Sequence, residues 1–160
     1  MSAELVAYRM IVVGECEGTT ILLAVVILFS MVAIASARDF GVGFSRLSTA
    51  DPMGGQMQYS LWYPTKVPNG VVRLDHFEFP GTQDAEPAAG RFGLVILSHG
   101  SGGTDLGHRD TAIALAEAGF IVAASLHPRN NFRDDIGDDQ RIVLDGRPRQ
   151  FSAVIDALLE

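Results

Sequence analysis

This 160-residue chain has little positive charge, a single cysteine, and none of the short motifs that bind phosphate or calcium. Its 12 Lys and Arg stand against 19 Asp and Glu, a net charge of −7, and no basic run is longer than Arg147-Pro148-Arg149. A nucleic-acid surface needs clustered cations, so no nucleic-acid partner is expected. Cys16 alone permits no intrachain disulfide and no Cys/His metal set. Gly100 to Gly103 has neither the G-x-G-x-x-G spacing nor a following Lys-Ser/Thr, which excludes a phosphate loop. Asp134, Asp135, Asp138 and Asp139 lack the alternation and closing Glu of a calcium loop. They read as a solvated run beside His127, and neither a metal nor a cofactor is expected. The absence with the largest consequence is G-x-S-x-G, the elbow that presents a serine nucleophile, because no serine of this chain sits in it.

Apolar residues make up 48% of the chain, enough for one core, but they are unevenly placed. Thr20 to Ala37 reads TILLAVVILFSMVAIASA without a charge. Its centre, Ile21 to Ala35, is shorter than the ~20 residues that span a bilayer comfortably and falls within the range of a signal-peptide core. Ala35-Ser36-Ala37 fits a small-x-small cleavage site, and Arg38-Asp39 turns polar at once. The expectation is export, periplasmic or secreted, after cleavage at Ala37. The flank before the run carries Glu4, Glu15 and Glu17 against Arg9, which is not the usual positive lead. The alternative is therefore an uncleaved anchor, with membrane contact only through residues 20–37. On either reading the chain divides into residues 1–37 and a domain over residues 38–160.

From Phe40 the pattern changes to short strands. Val42, Phe44 and Leu47 lead into the turn Asp51-Pro52-Met53-Gly54-Gly55, and Gln56 to Tyr63 alternates again before Pro64, which predicts an antiparallel hairpin. Val71 to Phe79 alternates with period two and reads as one exposed edge strand, followed by a loop from Pro80 to Arg91. Phe92 to Ser98 is a continuous apolar run, the mark of a strand covered on both faces of a parallel sheet. Thr111 to Ala118 has helical spacing, with Asp110 as N-cap and Gly119 as its stop, and Phe120 to Leu126 is a second buried strand. Strand, helix and strand in so few residues make a βαβ crossover, so the fold class is α/β. His127 to Asp139 reads as a polar loop. Pro148 to Glu160 restarts a helix with Phe151, Val154, Ile155, Leu158 and Leu159 on one face, a face that needs a further sheet to pack on.

His99-Gly100-Ser101-Gly102-Gly103 lies directly after a buried strand and shortly before a helix. Glycines there let the main chain approach a substrate carbonyl, and backbone N–H groups aimed at a developing oxyanion lower a barrier by several kcal/mol. Ser101 does not fit the nucleophile elbow, because His99 stands where the first glycine belongs and several residues separate it from the helix.

The hairpin ending LWYP, the strand ending SHGSGG, the following helix and AGFIVAASLHP resemble the dienelactone hydrolase and platelet-activating-factor acetylhydrolase branch of the α/β-hydrolases. The resemblance runs from Val42 to Glu160. It implies an α/β-hydrolase sheet with an antiparallel β-start followed by a βαβ crossover, present only in its N-terminal part. It further implies a small-molecule carboxylic ester as substrate and an acyl-enzyme as intermediate. By position it makes the Ser101 backbone N–H an oxyanion donor, with His99 and Gly100 as structural members of the loop. His108, Arg109 and Asp110 stand near the loop in sequence and read equally well as a solvated helix start. The family's nucleophile, acid and base all lie beyond the matching segment, so none is expected here. The chain is then the first half of a longer enzyme and inactive alone. The alternative is a truncated, non-catalytic homologue.

Overall fold

The computed structural model describes residues 40–135 and 141–159. Residues 1–37, with the apolar run and Cys16, and Asp138 and Asp139 lie outside them. Among the described residues no helix is long and apolar enough to cross a membrane.

The chain begins with the expected hairpin. β1 (Gly41–Ala50) and β2 (Gln56–Thr65) pair antiparallel from Gly41 opposite Thr65 to Ala50 opposite Gln56. Asp51 closes the turn, its N–H donating to the Gly55 carbonyl and its own carbonyl accepting from Gly54.

The segment expected to be one edge strand is two, β3 (Gly70–Leu74) and β4 (Phe77–Gln83), folded back at Asp75-His76. Asp75 takes φ of 54°, a left-handed conformation that Asp tolerates better than most residues. The turn also settles a conflict of faces. Val72 and Phe79 are an odd number apart and would point to opposite faces of one strand, but across the hairpin they pair directly and both are buried. β4 runs on through Pro80 to Gln83, where a loop was expected.

β5 (Gly93–Ser98), α1 (Arg109–Glu117) and β6 (Phe120–Ser125) form the crossover, and β5 and β6 pair in parallel from Gly93 opposite Phe120 to Ser98 opposite Ser125. The helix starts one residue before Asp110, so His108 occupies the cap position without a side-chain cap bond. Gly119, at φ of 91°, ends it as its sequence indicates. The sheet order is β3-β4-β1-β2-β6-β5. β6 therefore lies between β2 and β5, with Val122 and Ala123 fully buried. β5, read as buried on both faces, is the outer strand of this sheet among the described residues and its apolar centre is only half-buried.

Helices cover both faces. On one, Phe44, Trp62, Val72 and Phe79 meet Ala112, Ile113 and Ala116 of α1. Phe44 sits edge-on to both Trp62 and Phe79 at 5.2 and 5.1 Å, and burying a side chain of its size contributes about 2–3 kcal/mol. On the other face a π-helical turn (Arg141–Gly146) leads into α2 (Arg147–Leu159), whose Val154 is buried against Met57, Tyr59 and Ala123. Of the amphipathic face, Val154 is buried on this sheet, Phe151, Ile155 and Leu158 are partly covered and Leu159 is exposed. The result, among the described residues, is an α/β architecture with one α-helix on each face of a mixed sheet.

Candidate active site

In an open α/β sheet, ligands gather outside the carboxyl ends of the parallel strands. Here that end is formed by Ser98 of β5, Ser125 of β6 and the loops leaving them. An apolar hollow lined by Leu61, Tyr63, Leu94, Ile121 and Leu158 lies at the opposite end of these strands, away from the polar groups.

His99 is buried at 5% exposure and both its ring nitrogens are engaged. Nε2 accepts the backbone N–H of His127 at 3.2 Å, which leaves the proton on Nδ1, and Nδ1 donates to the Gly100 carbonyl at 2.7 Å. Burial pushes its pKa down, against the pull of the Gly100 bond. The same Gly100 carbonyl accepts from the Gly103 N–H, closing a turn whose tip is Ser101-Gly102. Gly102 has φ of 63°, a region that favours glycine, and a Cβ on Gly103 would stand 2.9 Å from the His99 Cβ, so a side chain there would force its neighbours to shift. Gly100 has open space where a side chain would project, and Ser101 is exposed, its hydroxyl accepting from Asn130 Nδ2 at 3.0 Å.

The turn is clamped on both sides. Upstream, Arg147 at the start of α2 lays its guanidinium across the strand end, donating to the His99 carbonyl at 2.7 Å and to Asn130 Oδ1. Downstream, Asp105 is buried and accepts from Ser60 Oγ at 2.6 Å, Thr104 Oγ1 at 2.9 Å and Arg46 Nη2 at 3.0 Å. Arg46 in turn lies 3.7 Å from Asp75, which also pairs with Arg133 at 3.1 Å.

His127 to Asp139 was expected to be a solvated loop. Instead His127, Asn130 and Asn131 are buried, and β7 (Asn130–Asn131) pairs with β8 (Asp134–Asp135). The Phe132 N–H donates to the Gly103 carbonyl at 2.9 Å, so this hairpin is fastened to the glycine turn. His127 is fully buried: Nδ1 meets Gln150 Oε1 at 2.7 Å, Nε2 meets Ser98 Oγ at 3.0 Å, and its carbonyl accepts from Asn131. Burial pushes its pKa down to about 4, with Arg147 and His99 adding to the fall and the Gln150 bond opposing it. Asp134 and Asp135 bond to the Arg129 N–H and to Asn130 within the hairpin, and no cluster of metal-ligating side chains forms among the described residues.

The structure therefore places His99, Gly100 and Ser101 together at the carboxyl end of β5, with Gly100 and Ser101 exposed on the turn and His99 buried behind it. Arg109, by contrast, stacks over Phe77 at 5.1 Å. Sequence reasoning missed Arg147, Gln150, Asn130 and Asp105. The one local signal was Gln150, a polar residue one helical turn before Val154 on the apolar side of α2.

No family model and no curated protein matches the sequence. Among solved structures it is similar to a ferulic acid esterase from Streptomyces cinnamoneus, at a TM-score of 0.61 and 21% identity over 77% of this chain. The chain spans about half of that esterase, 48% of its length. At this identity the likeness shows the fold: part of an α/β-hydrolase-like sheet, of the kind an esterase uses.

Proposed function

We propose that this chain is the N-terminal half of an exported serine hydrolase that cleaves small carboxylic esters through an acyl-enzyme, in the branch that contains dienelactone hydrolase and platelet-activating-factor acetylhydrolase. It supplies the oxyanion side of the site. The observation that carries this reading is the Gly100–Gly103 turn, exposed at the carboxyl end of β5 and held from behind by His99, Arg147 and Asp105. The Ser101 backbone N–H is the oxyanion donor, Gly100 leaves room for the substrate carbonyl, and His99 holds the turn. A preorganised donor costs no reorganisation as charge develops, which is why a clamped turn serves this purpose better than a mobile one. The likeness to an esterase fold supports the class.

The nucleophile, acid and base come from a continuation of the sequence. Export follows cleavage near Ala37, or the segment of residues 20–37 stays as an anchor. The test is the coding sequence past Glu160 together with an assay on a short-chain nitrophenyl ester. The reading expects a G-x-S-x-G within a few tens of residues, turnover by the extended chain and none by the 160-residue chain. An authentic stop codon at that point favours the non-catalytic homologue. Turnover by the short chain that survives repurification and vanishes on Ser101→Ala overturns the assignment.

A further inference from the structure

A line of four side chains runs from the interior behind the glycine turn to the exposed end of β5, and its members come from four separate elements. Asp51 opens the turn after β1, Gln150 lies on α2, His127 follows β6 and Ser98 ends β5. Asp51 Oδ1 meets Gln150 Nε2 at 3.1 Å, Gln150 Oε1 meets His127 Nδ1 at 2.7 Å, and His127 Nε2 meets Ser98 Oγ at 3.0 Å. Gln150 and His127 are 1% and 0% exposed, so solvent does not choose their orientation.

The direction of every bond follows from Asp51. A carboxylate only accepts, so the amide nitrogen of Gln150 faces it and the amide oxygen faces His127. An amide oxygen also only accepts, so His127 carries its proton on Nδ1. Its Nε2 is then an acceptor, and the Ser98 hydroxyl donates to it. The branch to His99 is set in the same manner: the His127 backbone N–H donates to His99 Nε2, and the His99 proton stays on Nδ1, toward Gly100.

We propose that Gln150 is a positioning residue for the glycine turn: held by Asp51, it fixes the tautomer of His127 and so directs the Ser98 hydroxyl and braces the strand end that carries Gly100 and Ser101. An amide suits this place better than a carboxylate. A carboxylate there would favour a charged imidazole, in an interior that already holds the Arg147 guanidinium, His99 and Asp51 around that ring. The consequence for catalysis rests on the reading of the turn as an oxyanion loop; the tautomer lock does not.

Imidazole 15N spectra of the full 160-residue chain test the proposal. At pH 7 the native protein is expected to show both His127 and His99 as single Nδ1–H tautomers. Gln150→Leu should give His127 as a tautomer mixture and move the amide resonances of Gly100, Ser101 and Gly102. Val154→Ala, on the same helix, should cost stability and leave both signatures in place. Gln150→Glu should raise the pH at which His127 charges by about one unit or more, and it carries the test if the Leu variant does not fold. A native His127 protonated at Nε2, or a His127 signature unchanged in both Gln150 variants, overturns the proposal. A tautomer lock found in a protein whose extended chain cleaves no ester sinks the esterase reading alone.

Discussion

The backbone N–H of His127 donates to Nε2 of His99 at 3.2 Å, so the ring that opens the glycine turn is held by the strand end beside it. The two imidazoles lie 4.9 Å apart between centroids, and burial pushes the pKa of each down. That lowering sets how stability responds to acid.

His127 has a folded pKa of about 4 against an ordinary value of 6.5, and that of His99 is lowered as well. Between those pH values the unfolded chain binds protons that the folded one refuses, so stability is full above about pH 6.5 and falls as pH drops toward 4. For His127 alone the loss between pH 7 and pH 5 is about 2 kcal/mol, and His99 adds in the same direction. Urea unfolding at the two pH values measures it. A stability unchanged across that interval contradicts the buried, neutral pair.

Asp105 is a buried carboxylate whose partners, Arg46, Ser60 and Thr104, come from β1, β2 and the loop after the glycine turn. Asp105→Ala removes the buried carboxylate that accepts from Ser60 and Thr104 and leaves Arg46 only its longer contact with Asp75 at 3.7 Å. The expected loss is about 3–5 kcal/mol, seen as a lower urea midpoint. A loss under about 1 kcal/mol, the range of exposed pairs, shows that the clamp does not hold the loop.

Gly103→Ala places a methyl group 2.9 Å from the His99 Cβ and 3.0 Å from the Gly100 carbonyl oxygen. Backbone and ring must both shift, so the variant should lose about 1–3 kcal/mol and disturb the His99 ring resonances. Gly100→Ala meets nothing within 4 Å and serves as the control with the smaller effect.

The elements that local chemistry dictates were legible from residue pattern: the β1–β2 hairpin with its Asp51 turn, the apolar runs of β5 and β6, and the helix stopped by Gly119. The β3–β4 hairpin was hidden because Asp75 and His76 sit inside an unbroken alternation. Only the facing of Val72 and Phe79 required the fold-back. The clamp behind the site was hidden for a different reason. Gln150 meets Asp51 from 99 residues away and His127 from 23, and Arg46 meets Asp105 across 59. Pairings at such separations leave no periodic trace. His127, read as part of a solvated loop, is polar by type but buried by these distant partners.

On the proposed oxyanion reading, the Ser101 main chain, not its hydroxyl, contributes to catalysis. Ser101 stands second in a turn whose third residue, Gly102, has φ of 63°, an arrangement that accepts proline at the second place. Ser101→Pro therefore removes the N–H while the turn persists, and Ser101→Ala removes only the hydroxyl. With both variants made in the chain extended past Glu160, kcat on a nitrophenyl ester is the deciding measurement. Ser101→Pro should lower it by roughly 10²–10³, and Ser101→Ala should change it little. Full activity in the proline variant, or its loss in the alanine variant, contradicts that reading.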